Sequence, residues 1–163
     1  MAGLFRRLFG SRPSREEQEA AAASYRARLA SPQWEEVAAG LGRPIPTVLK
    51  ELYADPSGLE GDVYVFDPAK PKDVGEAWYV NQFVPADSDA LQPALESIPP
   101  GAFNFAFNEF GDPYYVELGA GDDGDGPVSV HYHDGGDIVR VAPSLREFLR
   151  WPRQPRSYAP LDG

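Results

Sequence analysis

Two histidines, His131 and His133, stand two residues apart in a run of alternating side chains, with Asp134 and Asp137 just behind them. On an extended strand, residues i and i+2 share a face about 7 Å apart, so two imidazoles and a carboxylate there could begin a metal site or an acid–base pair. A zinc site needs three or four protein ligands, yet these are the only histidines and there is no cysteine. The same residues also describe an ordinary polar sheet face. A second cluster, Gly119-Ala-Gly-Asp-Asp-Gly124, has the spacing G-x-G-x-x-G. A dinucleotide site needs a helix N-terminus behind the glycines to receive the pyrophosphate. Here Asp122, Asp123 and Asp125 would repel phosphate, and a strand pattern follows. The acids also miss the register of a calcium-binding EF-hand loop. A solvated inter-strand loop, a protein-binding loop or a cation site are the readings left for this tract. No G-x-S-x-G, H-E-x-x-H or P-loop occurs, so no catalytic residue and no cofactor is assigned.

Charge narrows the partners. The 163 residues hold 25 Asp and Glu against 15 Lys and Arg, a formal net charge of −10. Residues 1–15 carry four basic side chains and no acid, and residues 140–163 carry five basic against two acidic. Residues 56–139 carry 16 acidic against two basic, a local balance of −14. Such a middle repels a phosphate backbone, which excludes direct nucleic-acid binding through it and favours a basic protein or a cation. Without cysteine there is no disulfide framework and no thiol nucleophile. A hydrophobic content of 42% is too rich for a disordered chain, and no apolar run approaches the roughly 20 residues that span a bilayer. The start, Met1-Ala-Gly-Leu-Phe-Arg-Arg-Leu-Phe-Gly10, is interrupted by Arg6 and Arg7 and lacks the core of a secretory signal. A cytoplasmic location is expected.

The elements that must position these residues follow from local pattern. Ser14-Arg-Glu-Glu17 is a capping box that opens a helix to about Leu29. Ser31-Pro32 predicts a second helix with the stripe Trp34, Val37, Ala38 and Leu41, ended by Gly40 or Gly42. Pro46 opens a third, with Val48, Leu49, Leu52 and Tyr53 inward. From Val63 the period changes to two. Residues 63–66 and 77–83 read as strands, and residues 84–102, with four prolines, as a loop with one helical turn near Leu91–Leu95. Phe103, Phe105 and Phe107 alternate with Asn104, Ala106 and Asn108, predicting a half-buried strand with all three rings on the core face. Glu109-Phe110-Gly111-Asp112 is a hairpin loop, and Tyr114–Leu118, Val128–Tyr132 and Ile138–Val141 are the strands that follow. Ser144-Leu-Arg-Glu147 is a second capping box, and Trp151-Pro152 ends its helix. The fold class is therefore α+β, an antiparallel meander packed against N-terminal helices with a short C-terminal helix. Residues 1–13 are a basic tail, 14–151 a single domain, and 152–163 a Pro-rich, poorly ordered tail.

These residues resemble a family. Pro46-Thr-Val-Leu-Lys-Glu-Leu-Tyr53 and the approach to it from Trp34 resemble the P-x-x-L-x-x-L/F helix of SMI1/KNR4 (SUKH superfamily) proteins. The run Phe105-Ala-Phe-Asn-Glu-Phe-Gly-Asp-Pro-Tyr-Tyr-Val-Glu-Leu118 is similar to that family's Gly-Asp hairpin. Pro127-Val-Ser-Val-His-Tyr-His-Asp134 is similar to its strand ending in His-Asp or His-Glu, and Val141-Ala-Pro-Ser-Leu-Arg-Glu-Phe-Leu149 to its closing helix. The resemblance spans about residues 32–151. Departures are the turn Asp55-Pro56-Ser57-Gly58-Leu59 in place of an Asn-Gly-Gly type, Pro113, and Leu145 for a common Phe. The resemblance implies a non-catalytic α+β domain. Bacterial members are typically immunity proteins that neutralise a toxin by binding it, and fungal members act as regulatory hubs.

Together these readings predict a protein-binding domain, foremost an immunity protein that occludes a basic toxin surface. Asp122, Asp123, Asp125, Asp134 and Asp137 are its expected contact residues, with aromatic anchors supplying most of the affinity. Two alternatives stay open. One is a metal-dependent enzyme or cation-binding protein using His131, His133 and nearby Asp. The other is a peripheral membrane adaptor working through residues 1–12, where Leu4, Phe5, Leu8 and Phe9 fall on one stripe beside Arg6, Arg7 and Arg12.

Overall fold

The computed structural model describes residues 13–55, 61–91, 99, 101–119 and 122–156. The membrane-adaptor segment 1–12 lies outside the described residues, as does most of the expected turn after the third helix. Among the described residues no helix is long and apolar enough to cross a membrane.

Helix α1 (Arg15–Leu29) starts as its caps dictate: Ser14 Oγ accepts from the Glu17 backbone N–H, and the Glu17 carboxylate accepts in return from the Ser14 N–H at 2.6 Å. Helix α2 (Trp34–Leu41) starts two residues later than Ser31-Pro32 suggests. Its cap is Gln33, whose backbone N–H donates to the Ala86 carbonyl at 2.7 Å, so a tertiary bond sets this start rather than a serine hydroxyl. Gly42, at φ 67°, ends it in the left-handed conformation that glycine adopts without strain. Pro46 caps α3 (Thr47–Ala54), which buries Val48, Leu49 and Tyr53.

The expected meander is a five-stranded antiparallel sheet in the order β3–β4–β5–β6–β7: Gln82–Phe83, Ala102–Phe107, Pro113–Glu117, Val128–His131 and Ile138–Ala142. A second, three-stranded antiparallel sheet has the order β2–β1–β8: Trp78–Val80, Val63–Val65 and Arg153–Pro155. The single strand expected over 77–83 is therefore two. Asn81 is the crossing point: its N–H donates to the Phe107 carbonyl at 2.9 Å, while its Nδ2 holds Asp62 Oδ1 at 2.5 Å. The expected disordered tail also needs correction at its start, because Arg153 pairs with Val65 and Pro155 with Val63. The edge of β1 satisfies this strand's backbone groups, a partner that local composition does not reveal. Among the described residues of the loop between β3 and β4 is a short helix, α4 (Ser88–Leu91), and most of the turn expected near Leu91–Leu95 lies outside the described residues.

The phenylalanine alternation does not run through β4. The register shifts between Asn104 and Ala106, a β-bulge that moves later residues to the opposite face. Phe103 and Phe105 are fully buried, whereas Phe107 is half-buried. Asn104 and Ala106, expected on the outer face, are buried as well. Aromatic rings tie helices to sheet. Trp34 meets Tyr53 edge-on at 5.5 Å, Tyr53 meets Phe103 at 6.2 Å, and Phe105 meets Phe148 of α5 (Leu145–Arg150) at 5.9 Å. Contacts of this kind contribute about 0.5–1.5 kcal/mol each beyond the area they bury.

Candidate functional site

In an antiparallel meander, alternate connections lie at the same end of the sheet. The β4–β5 loop (108–112) and the β6–β7 turn (132–137) are therefore neighbours, and the β5–β6 loop (118–127) lies at the opposite end. This divides the acidic residues that the sequence grouped together.

The β4–β5 loop is built around Asn108. Its Oδ1 accepts from the backbone N–H groups of Phe110 and Asp112, both at 2.9 Å, and its Nδ2 donates to Asp112 Oδ2 at 2.8 Å. Gly111, at φ 83°, supplies the left-handed residue that closes the turn. With its base held this way, the loop presents Phe110 with 71% of its surface in solvent.

Asp112 is buried and joins the two turns. Its Oδ1 accepts from the His133 backbone N–H at 3.0 Å and lies 2.5 Å from His133 Nδ1. Burial pushes the Asp112 carboxyl upward, but the hydrogen bonds from the His133 backbone, Asn108 and the His133 ring outweigh it and leave the group below its ordinary value. His133 moves the other way. The Asp112 hydrogen bond, then the charge of Asp134, raises its pKa, and His133 Nε2 is 3.1 Å from Asp134 Oδ1.

Between these turns and β2 opens a cavity of about 360 Å³. Its walls are aromatic, formed by Trp78, Tyr79, Phe110, Tyr114 and Tyr132, and its charges are the carboxylates Glu109, Asp112 and Asp134. The Tyr114 hydroxyl donates to the Tyr79 carbonyl at 3.0 Å, bracing the floor against β2. At the rim the chain's own Arg156 lies 4.8 Å above the Tyr79 ring and pairs with Glu109 at 2.8 Å. Rings and carboxylates in this arrangement favour a cationic group by charge and by cation–π attraction.

The predicted residues fall as follows. Asp134 lines the cavity, and Asp137 is exposed in the same turn. Asp123, exposed and at φ 57°, lines a different cavity beside Arg43 and Pro46. Asp122 enters the same short 3-10 turn, and its side chain lies outside the described residues. Asp125 leaves the proposed face altogether. It is buried and accepts backbone N–H bonds from Gly126 at 2.8 Å, Leu145 at 3.0 Å and Arg146 at 3.1 Å, so it caps α5 together with Ser144. His131 and His133 do not share a strand face, because β6 ends at His131, which is buried, and His133 belongs to the turn. Among the described residues no group of three or more His, Asp or Glu side chains is placed to hold a metal ion.

Sequence reading missed Glu109, Phe110 and Asp112 as site residues. The signal was present: three consecutive hairpins place the first loop beside the third.

The fold and site define a small α+β domain with a charged, aromatic recognition pocket. The family model for SMI1/KNR4 (SUKH-1) matches residues 30–151, and the chain belongs to this family. The family is generally one of non-catalytic, immunity-type domains, and membership implies, at that coarse level, binding to a protein partner. The family's Gly-Asp hairpin and His-Asp strand end, here Gly111-Asp112 and His133-Asp134, are the elements in contact at the pocket. Searches of curated proteins and of solved structures gave no significant match.

Proposed function

We propose that the protein is a cytoplasmic immunity protein that neutralises a toxin by covering a basic surface with the face around the β4–β5 and β6–β7 turns. The observation that carries this reading is the pocket itself, with three carboxylates and five aromatic side chains, the exposed Phe110 among them. Asp134, Asp137 and Glu109 steer the encounter, and Phe110 is the anchor. Asp122 and Asp123, at the other end of the sheet, are outside this contact.

Burying a phenylalanine side chain is worth about 2 kcal/mol, or roughly thirtyfold in Kd. The test uses the partner captured by pull-down from the native host, purified and, where it is toxic, inactivated, with association followed by biolayer interferometry. Phe110→Ala should weaken binding about thirtyfold while leaving Tm unchanged. Asp134→Lys with Glu109→Lys should slow association and flatten its salt dependence. Asp123→Lys should do neither. Salt-insensitive association, with full affinity in Phe110→Ala and the double reversal, would refute this reading.

A further inference from the structure

Away from the acidic pocket, α3, α5 and β8 enclose an open cavity of about 530 Å³. Arg146 and Arg150, four residues apart on α5, line it together with Arg153 of β8. Among the described residues, ion pairs form elsewhere, and none of these three arginines has a carboxylate within pairing distance. Arg153 is half-buried, and its Nε is closed off from solvent without a hydrogen-bond partner. Burial lowers the proton affinity of its guanidinium, as expected of a charge taken from water without compensation. A ligand cannot reach that nitrogen, but the two Nη groups of the same guanidinium are not closed off and have no partner among the described residues, so an anion docked on them would offset the cost of this half-buried charge.

The rest of the lining says what kind of anion fits. Glu51 and Asp55 face the cavity from α3 and its C-cap, so three positive charges meet two negative ones, a net of +1 on a chain of −10. Val48, Leu52 and Leu149 add an apolar wall. We propose that this cavity is a binding site for an amphipathic oxyanion, a single carboxylate or phosphate on an apolar body, anchored by Arg153. A guanidinium presents parallel N–H donors that match two oxygens of either head group. The net charge suits one anionic group rather than a polyanion. The size falls in the range of small-ligand sites. The site shares no residue with the acidic pocket, so it stands or falls independently of the toxin-binding reading.

The full-length protein is titrated calorimetrically with hexanoate, hexyl phosphate and acetate at constant ionic strength, with chloride as the control, and Tm is recorded at saturation. Hexanoate or hexyl phosphate should bind saturably and raise Tm, and the tighter of the two identifies the head group. Acetate, which lacks the apolar body, should bind at least about tenfold more weakly. Arg153→Met should abolish binding yet hold Tm at or above that of the wild type, because it removes an uncompensated charge. Arg146→Gln with Arg150→Gln, on the exposed side of α5, should weaken binding about tenfold. The proposal is overturned if neither long-chain anion gives a saturable response beyond chloride, or if the response survives in Arg153→Met.

Discussion

Replacing Asp125 with alanine should unfold this protein at a measurably lower temperature, although its sequence context reads as a solvated acidic loop. The Asp125 carboxylate accepts three backbone N–H groups and clamps the β5–β6 loop to the first turn of α5. In the alanine variant the Leu145 N–H keeps the Gly126 carbonyl at 3.1 Å, so two donors, those of Gly126 and Arg146, are orphaned. Hydrogen bonds to a charged group contribute about 1.5–3 kcal/mol each, but Arg146 is partly exposed and water recovers some of its share. Loss of a negative charge at the α5 N-terminus adds about 0.3–1 kcal/mol. The sum is about 3 kcal/mol, which for a domain of this size lowers Tm by roughly 6–12 °C. Asp125→Asn keeps the Oδ1 acceptor for Gly126 and Leu145 but loses the charge and sets an NH2 donor where Oδ2 accepts from the Arg146 N–H, so its cost is about 2 kcal/mol. Differential scanning calorimetry at pH 7 on both variants measures the difference, and amide exchange should show α5 opening first. A Tm for Asp125→Ala within about 2 °C of wild type would refute the capping role and return Asp125 to the list of surface acids.

Two further outcomes follow from the β4–β5 loop and the turn it meets. His133 has a raised pKa, so its contribution to stability is complete below its ordinary value of 6.5 and is lost as pH rises through the folded-state value. Asp112 has a lowered pKa, so its contribution is complete above its ordinary value of 3.8 and is lost as pH falls through the folded-state value. The Tm difference between wild type and His133→Gln should thus peak between about pH 4 and 6.5 and shrink on either side. The same difference measured in an Asp112→Asn background should shrink to the smaller part that Asp134 supplies, and an undiminished peak there would show that Asp112 does not hold His133. Gly111→Ala should cost about 1–2 kcal/mol, a fall in Tm of roughly 2–8 °C. Open space surrounds its position, so the whole cost is the φ of 83°, and an unchanged Tm would mean that the loop relaxes.

What the chain declares locally is its list of elements. The Ser14 box, Pro46 and Gly42 act on their own few residues of backbone, so α1, α3 and the end of α2 can be read directly. Alternating side chains mark β4 to β7 for the same reason, and the ordered motifs resemble the family whose model matches residues 30–151. The exceptions share one cause. The bulge at Phe105, the crossing at Asn81 and the pairing of β8 all depend on what lies across the sheet.

The site is decided at that same level. The acidity of the middle of the chain, and hence its preference for a cationic partner, is a matter of composition. The grouping of those acids is not. Asp125 points to the amides of α5, Asp123 lies at the far end of the meander, and Asp134 joins Glu109, Asp112 and Phe110 because two alternate hairpins share an end. Three arginines spread over α5 and β8 line one cavity only once β8 has docked on β1. Capping and alternation act between near neighbours in the chain, whereas a pocket is made by residues that only the folded sheet brings together.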